Sequence, residues 1–259
     1  MTNTEKLATR LHDAYANAES IDPATLPSNA TTEDAYAVQD AFIENRTADE
    51  GPVVGYKLGF TNETVQSDVG VDSPIYGRIL KDTIHWNREF DVDSLIEPQI
   101  EPEIAFVLEE DLDQSANRLD VMAATRHMIP VIEVVDSRIS DWDLTVPGAV
   151  TDNALAARLL PGDRTATEIA DLPLESVEVS INGEQRASGV GAAVLGHPAD
   201  AVAWLADTLS DRGDSLQAGD IVTTGSLTEP VPVTAGDTIV ARFSSLGTVV
   251  AQSVSSGSD

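Results

Sequence analysis

Apolar residues recur every three or four positions through the first fifty residues, which is the spacing of one buried helix face. The first set comprises Leu7, Leu11 and Ala14 or Tyr15, and the second comprises Ala35, Val38, Ala41 and Phe42. The run TTED at 31–34 precedes the second set and is typical of a capped helix start. The pattern predicts two helices joined by the loop IDPATLPSNA at 21–30.

The pattern changes at Val53, after which short apolar runs are interrupted by glycine, proline and aspartate, as in β-rich proteins. Residues 177–189, VEVSINGEQRASG, alternate between apolar and polar on either side of Asn182 and Gly183. An Asn-Gly pair in this setting is the strongest short signal for a β-hairpin.

A helix is predicted to begin at Pro198 and to run to about residue 209, because proline suits the first helical turn. Two AGD turns, at 218–220 and 235–237, each precede an apolar run, IVTTG and TIVARF. These runs fit strands of a sheet that closes on itself or packs as a sandwich.

Acidic residues interrupt two of the apolar runs. Glu101 and Glu103 lie in IEPQIEPEIAFVL at 96–108, and Glu133 lies in MIPVIEVVDSRISDW at 128–142. On a strand, residues i and i+2 share a face, so Glu101 and Glu103 point the same way. Buried carboxylates need protonation or a cation, and three of them suit Mg²⁺ or Mn²⁺. The spacing alone leaves open the alternative that all three face solvent.

Lys57 is the second candidate, and it lies in GPVVGYKLGFTN at 51–62 between Gly55 and Gly59. The chain has only two other lysines, Lys6 and Lys81. A buried lysine can hold a substrate carboxylate or transfer a proton. The alternative is a strand lysine whose stem packs on the sheet while its head reaches water.

Polar residues in DSRISDW at 136–142 and TDN at 151–153 form the third candidate group. Arg138 can pair with a carboxylate through two hydrogen bonds. Asp152 and Asn153 are, from the residues alone, more typical of a turn. We retain Lys57, Asp152 and Arg138 as candidate catalytic residues. His197, just before a helix start, is interpreted as structural.

Charge narrows the set of partners. The chain has 44 acidic and 15 basic residues, a formal net charge of -29, and no cysteine. Such a surface repels nucleic acid and anionic membranes, and the absence of cysteine excludes disulfides and thiolate sites. The first twenty residues lack the charged start and apolar core of a signal peptide, and no apolar run reaches 18 residues, so we expect an unexported protein. We expect a cytoplasmic protein, and the acidity favours a halophilic one because salt screens self-repulsion.

Seven strings in one order resemble a known family closely. They are GYKLGFTN, SPIYGRI, IEPEIAFVL, PVIEVVDSRISDW, TDN, VLGHPADAVAWLADTL and LQAGDIVTTGSLTEPVPVTAGD. The chain is identified as a member of the 2-keto-4-pentenoate hydratase and 4-oxalocrotonate decarboxylase family, within the fumarylacetoacetate hydrolase superfamily. The match extends from about residue 33 to residue 251.

The resemblance implies an α+β fold with a distorted mixed β-roll or sandwich core, flanking helices and a helical N-terminal region. We predict that residues 1–50 pack as helices on a single catalytic unit formed by residues 51–259. The resemblance also implies Mg²⁺ or Mn²⁺ held by Glu101, Glu103 and Glu133, with Lys57 near the substrate. A homo-oligomer is expected, and a complex with the sister decarboxylase or hydratase is another implied partner.

The implied reaction is hydration of 2-hydroxypenta-2,4-dienoate to 4-hydroxy-2-oxopentanoate, through an enolate stabilised by the metal, in the meta-cleavage breakdown of aromatic compounds. The alternatives are 4-oxalocrotonate decarboxylation, carbon–carbon bond hydrolysis of the acylpyruvate type, and an inactive scaffold partner. Three positions depart from the family pattern: Ile75 and Gln99 replace an expected aspartate and arginine, and Leu155 replaces a small hydroxyl residue. These departures affect the proton-transfer partners and the substrate.

Overall fold

The computed structural model describes residues 1–62, 66–67, 71–163 and 171–257. The helices used below are α1 (Asn3–Asn17), α2 (Thr32–Glu50), α3 (Arg118–Ala124), α4 (Val146–Thr151) and α5 (Pro198–Asp211). In the described ranges no helix is both long enough and apolar enough to cross a membrane.

Both predicted N-terminal helices are present, and α2 begins at the TTED run. Thr2 and Glu5 form a reciprocal capping box at the start of α1, and Thr31 and Asp34 form another at the start of α2. His197 caps α5, because its Nδ1 accepts a hydrogen bond from the backbone N–H of Ala199 at 3.1 Å. The structural interpretation of His197 therefore agrees with its contacts.

The strands form two sheets. Their bounds are β1 (Val53–Gly59), β2 (Ile75–Leu80), β3 (Glu89–Asp91), β4 (Gln99–Leu108), β5 (Thr125–Val135), β6 (Ala156–Pro161), β7 (Ser176–Ile181), β8 (Glu184–Val190), β9 (Ile221–Thr223), β10 (Val231–Pro232), β11 (Thr238–Phe243) and β12 (Thr248–Val254). A seven-stranded sheet has the order β2-β1-β9-β4-β5-β6, with β10 also paired to β4. A five-stranded sheet has the order β3-β12-β11-β7-β8.

Local turn chemistry explains several of these strands. Strands β7 and β8 form the predicted hairpin, and Asn182 and Gly183 both have positive φ, 54° and 83°. Two positive φ values in a two-residue loop twist the strands in the favoured sense. The AGD turns precede β9 and β11, which lie in different sheets.

The two faces of the seven-stranded sheet have different surroundings. One face sends Leu58, Phe106 and Val222 into the main core, which also contains apolar residues of α5 and of the five-stranded sheet. The opposite face carries a smaller apolar cluster that includes Ala105 and Leu159. We call this second face the site face; it comprises every second residue of each strand, in step with Ala105 on β4 and Leu159 on β6.

The seven-stranded sheet curls so that its edge strands β2 and β6 come into contact. The Asn153 side chain, just before β6, binds strand β2: its Oδ1 accepts a hydrogen bond from the backbone N–H of Arg78 at 2.7 Å. Its Nδ2 donates to the Arg78 carbonyl at 2.9 Å. The result is a rolled mixed sheet with flanking helices, which confirms the predicted fold class.

The N-terminal helices pack on one side of the roll. Leu7, Leu11 and Phe42 form a separate apolar cluster with Ile139. The amide of Gln39 on α2 donates to the carbonyls of Tyr76 and Val150 at 3.0 and 2.8 Å. These buried contacts join the helical region to the sheet; the division at residue 50 stays a prediction.

Candidate metal centre

Three carboxylates meet on the site face because of strand register. Glu101 on β4 lies directly opposite Glu133 on β5, and Glu103 follows two positions after Glu101. Residues opposite each other in an antiparallel pair share a face, as do residues i and i+2. One carboxylate oxygen from each of Glu101, Glu103 and Glu133 lies within 4.8 Å of the other two.

Burial makes this cluster costly for ionised carboxylates. Glu103 and Glu133 are buried, with 0% and 3% of their surface exposed, whereas Glu101 keeps partial solvent access. Burial raises the pKa of Glu101 and of Glu103 to about 7 each, against the opposing effect of the Lys57 ammonium. Burial also raises the pKa of Glu133 well above its ordinary value. Like charges at this separation favour protonation or a bound cation.

Lys57 lies on β1, which is separated by β9 from the strand β4 that carries Glu101 and Glu103. It is opposite Thr223 on β9, which in turn is opposite Ala105 on β4. The Lys57 Nζ lies 3.1 Å from Glu133 Oε2 and donates a hydrogen bond to the carbonyl of Ala154 at 2.8 Å. Burial lowers the pKa of Lys57, but the neighbouring glutamates, first Glu133, outweigh that effect and raise it overall. Lys57 is thus an ammonium here.

The Glu103 carboxylate is only half satisfied. Its Oε2 accepts from the backbone N–H of Gly225 at 2.8 Å, while its Oε1 is buried with no hydrogen-bond partner. Gly225 has φ 92°, and a Cβ there would lie 2.0 Å from the Thr61 Oγ1. Glycine is therefore required for the turn that brings this amide to Glu103.

The donor set fits a divalent cation. Oxygen ligands suit hard cations such as Mg²⁺ and Mn²⁺, and Glu103 offers an unused buried oxygen. Three carboxylates and one ammonium, Lys57, leave two negative charges uncompensated when all four are ionised. One divalent ion balances them. The residues present therefore fit the metal that the sequence predicts.

The other two candidate catalytic residues bind each other. Arg138 donates from its backbone N–H to Asp152 Oδ2 at 2.8 Å, from Nε to Oδ1 at 2.5 Å, and from Nη2 to the Asp152 carbonyl at 2.7 Å. Both side chains are fully buried. The contacts are those of a structural pair, and a direct catalytic role for Arg138 and Asp152 stays a prediction.

The Arg138–Asp152 pair adjoins the turn that contacts Lys57. Asn153, Ala154 and Leu155 have consecutive positive φ values of 53°, 49° and 66°. Non-glycine residues adopt this left-handed region at an energetic cost, so the surroundings must enforce it. The Leu155 N–H donates to the Asp152 carbonyl at 2.9 Å, and the same carbonyl accepts a hydrogen bond from Arg138 Nη2. The turn presents the Ala154 carbonyl to Lys57.

The three departures from the family pattern lie near these residues. Ile75 on β2 is buried and lies opposite Gly59, and Gly59 follows Lys57 by two positions on β1. Gln99 precedes Glu101 by two positions on β4 and so shares its face. Leu155 is the last residue of the left-handed turn.

Sequence reasoning missed the backbone groups and one side chain of the centre. The Ala154 carbonyl and the Gly225 amide carry no side-chain signal. Thr223 and Thr224 are fully buried, and neither hydroxyl forms a well-aligned hydrogen bond among the described residues, although Thr223 adjoins the Glu103 carboxyl. The alternating run IVTTG, which places a hydroxyl residue on a buried strand, was the available signal.

A rolled α+β sheet with a carboxylate-rich centre defines the class of protein, and comparison with known families agrees. Residues 78–254 match the fumarylacetoacetate (FAA) hydrolase C-terminal family. The chain is 39% identical to the 2-keto-4-pentenoate hydratase of Burkholderia vietnamiensis over 249 residues, 94% of each chain. It is also 39% identical to the 4-oxalocrotonate decarboxylase of Pseudomonas sp. strain CF600, over 86% of this chain and 85% of that one.

A solved structure extends the similarity to three dimensions. The 4-oxalocrotonate decarboxylase of Pseudomonas putida G7, complexed with magnesium and adipate, superposes with a TM-score of 0.93 at 35% identity, and the match covers 97% of both chains. The chain therefore belongs to the fumarylacetoacetate hydrolase family and, within it, to the group formed by the 2-keto-4-pentenoate hydratases and 4-oxalocrotonate decarboxylases. The resemblance found in the motifs is confirmed.

Proposed function

We propose that the protein is a metal-dependent hydro-lyase that converts 2-hydroxypenta-2,4-dienoate to 4-hydroxy-2-oxopentanoate in the breakdown of aromatic compounds. The observation that carries the proposal is the buried cluster of Glu101, Glu103 and Glu133 beside the Lys57 ammonium. Several hydratase relatives, 35–39% identical to this chain over nearly its full length, support the choice of reaction.

Glu101, Glu103 and Glu133 would hold Mg²⁺ or Mn²⁺. When bound, this ion supplies Lewis-acid polarisation to the oxygens of a 2-oxo acid. The protein orients the ligands: the Gly225 amide fixes one oxygen of Glu103, and the ion pair with Lys57 fixes Glu133. Support of this kind holds ligands in the geometry that a reaction needs.

Lys57 holds the proton that the chemistry requires. Its Nζ is buried, lies 3.1 Å from Glu133 and donates one hydrogen bond to Ala154. One further N–H group therefore remains for a substrate oxygen or for transfer of a proton along the dienol chain. Arg138 and Asp152 act in this scheme through the turn that presents Ala154, as positioning residues.

4-Oxalocrotonate decarboxylation is the second candidate, and the TM-score of 0.93 with the Pseudomonas putida G7 decarboxylase favours it specifically. That relative is complexed with adipate, a six-carbon diacid. Both reactions use the same metal ligands and the same charge stabilisation, so the cluster serves either. Hydrolysis of acylpyruvates and a scaffold role lack a comparable observation.

A substrate panel tests the proposal. The purified protein, with Mg²⁺ or Mn²⁺, is mixed with 2-hydroxypenta-2,4-dienoate and, separately, with 4-oxalocrotonate, and the products are identified after subtraction of non-enzymatic ketonisation. Formation of 4-hydroxy-2-oxopentanoate from the first supports the hydratase. Release of CO₂ from the second, without hydration of the first, replaces it with the decarboxylase. Inactivity with both removes both assignments.

We further propose that the protein is a cytoplasmic homo-oligomer and that it forms a complex with its sister enzyme. We also propose that it comes from a halophilic organism. The net charge of -29 on 259 residues supports the last point, because salt screens repulsion between surface carboxylates. We expect the melting temperature to rise with molar KCl; a melting temperature insensitive to KCl would contradict halophilic adaptation. Light scattering measures the assembly state of the protein alone and mixed with a sister enzyme.

A further inference from the structure

We propose that the Thr223 hydroxyl is a substrate-binding group that donates a hydrogen bond to the carboxylate of a bound 2-oxo acid. The assignment rests on the proposed function for the identity of the substrate, but its geometry stands independently. It names a strand residue for which neither the motifs nor the metal cluster supplies a role.

Strand register places Thr223 in the centre of the site. On β9 it lies opposite Lys57 of β1 on one side and opposite Ala105 of β4 on the other. Ala105 follows Glu103 by two positions and therefore shares its face. The backbone of Thr223 thus lies between those of Lys57 and Ala105, and its side chain shares the face of Lys57 and Glu103.

The Thr223 hydroxyl is buried beside the Glu103 carboxyl, which can accept a hydrogen bond from it. The residue is 0% exposed, and its Oγ1 forms no well-aligned hydrogen bond among the described residues. Buried hydroxyls in folded proteins are nearly always paired, because an unpaired one retains its desolvation cost. A partner supplied by a ligand removes that cost when the ligand binds.

Thr224 shows that an unpaired hydroxyl alone decides nothing. It is also 0% exposed, and its Oγ1 also has no partner. Its backbone N–H donates to the Ile104 carbonyl at 3.2 Å, and strand alternation directs its side chain away from the face that Thr223 occupies. Position on the site face therefore distinguishes the two threonines.

The chemistry of the site selects an anionic oxygen as the partner. The register places Thr223 opposite apolar Ala105 and near Glu103, which is an acceptor when ionised, and Glu101 and Glu133 lie farther along the same face. Lys57 and Thr223 are two described side chains on this face that can donate a hydrogen bond. A 2-oxo acid brings a carboxylate into this cluster, and a carboxylate oxygen that does not bind the cation needs a donor.

Isosteric replacement of each threonine provides the test. Thr223→Val, Thr223→Ser and the matched control Thr224→Val are compared with the unaltered protein. Calorimetry measures the affinity for Mn²⁺ alone and then, at saturating Mn²⁺, for pyruvate as an unreactive 2-oxo acid. We expect Thr223→Val to weaken pyruvate binding about 10- to 100-fold, the range for a hydrogen bond to a charged group. Thr223→Ser should retain most of the affinity, and Thr224→Val should retain all of it.

Further measurements separate substrate binding from other roles. We expect Thr223→Val to bind Mn²⁺ with an affinity within about twofold of that of the unaltered protein. A large loss of Mn²⁺ affinity would show that Thr223 orients Glu103 and would overturn the assignment. Both valine variants should melt no lower than the unaltered protein, because each removes an unpaired buried hydroxyl. Equal pyruvate affinity in the two valine variants would also overturn it.

The outcome is distinguishable from failure of the proposed function. If 2-hydroxypenta-2,4-dienoate is not hydrated but pyruvate binding still separates Thr223→Val from Thr224→Val, the hydratase assignment fails and the Thr223 subsite stands. If hydration occurs with unchanged KM and kcat in Thr223→Val, the subsite fails and the hydratase stands.

Discussion

Two buried clusters of charge lie within the same roll and have opposite character. Arg138 and Asp152 balance each other, and Asp152 receives hydrogen bonds at both carboxylate oxygens. The cluster of Glu101, Glu103 and Glu133 has three carboxylates against one ammonium, and Glu103 Oε1 has no hydrogen-bond partner. A satisfied pair specifies a conformation, whereas an unbalanced cluster is completed by a cation and a substrate.

The comparison explains why an acid in an apolar run is by itself an ambiguous signal. Asp152 and Glu103 are both 0% exposed, and burial raises the pKa of each, to about 6 and about 7. The difference between them lies in what faces each carboxylate: a guanidinium at 2.5 Å for Asp152, and other carboxylates for Glu103. Replacing single residues should therefore affect the two clusters in opposite ways.

The largest expected effect is on turnover. Glu133→Gln removes a proposed ligand, so activity should fall by orders of magnitude and Mn²⁺ should bind more weakly, as measured by calorimetric titration. Glu110→Gln is the control, because Glu110 is exposed and outside the cluster. Unchanged Mn²⁺ affinity in Glu133→Gln would remove the ligand assignment.

Lys57→Met should separate metal binding from chemistry. The thioether keeps most of the volume of the side chain but holds no proton, so turnover should fall roughly 10²- to 10⁴-fold, the range for a lost general acid or base. Mn²⁺ affinity should be retained. Lys81→Met, at an exposed position, is the matched control. A near-normal rate in Lys57→Met would return this residue to a structural role.

Asp152→Asn and Glu103→Gln should change the stability of the metal-free protein in opposite directions. Asp152→Asn leaves the buried Arg138 guanidinium uncompensated and should lower the free energy of unfolding by about 3–5 kcal/mol. Glu103→Gln removes one negative charge from a cluster of three carboxylates and should raise the free energy of unfolding. Urea denaturation in the presence of a chelator measures both.

The same pair of variants tests the role of Arg138 and Asp152 in turnover. A positioning role predicts that loss of activity in Asp152→Asn accompanies loss of stability through the displaced turn at Ala154. Full stability with lost turnover would instead support the direct catalytic role that the motifs suggested. Stability that changes in the same direction in Asp152→Asn and Glu103→Gln would contradict the contrast between the clusters.

The smallest expected effect is a pH dependence of metal-free stability. Glu101 and Glu103 have folded pKa values of about 7, above the ordinary value of 4.5. The folded state therefore binds more protons than the unfolded state between these values, so stability falls as pH rises from about 5 to 7. The fall should be on the order of 1 to 3 kcal/mol, and saturating Mn²⁺ should abolish it.

Chemical denaturation at successive pH values measures this effect. The comparison is with a Glu101→Gln/Glu103→Gln variant, which retains the general repulsion of an acidic surface but lacks the two titrating groups. An identical pH dependence in the variant and in the unaltered protein would assign the effect to the surface instead.

Local sequence determined much of the fold. The helical spacing of the first fifty residues, the capping run at Thr31, the Asn182-Gly183 pair and Pro198 act within a few residues of themselves. Such signals predict α1, α2, α5 and the hairpin without any tertiary contact. The i, i+2 spacing likewise determined that Glu101 and Glu103 share a face.

Tertiary structure decided which groups meet. Sheet register set Glu133 opposite Glu101, and the pairing of β9 between β1 and β4 brought Lys57 and Thr223 to the same face. The pairing of Arg138 with Asp152 depended on how the segment between β5 and β6 folds back on itself. These contacts join residues far apart in the chain, and local periodicity determines the face of each strand but not its neighbour. The backbone groups of Ala154 and Gly225 carry no residue-specific signal, so only the folded chain could reveal them.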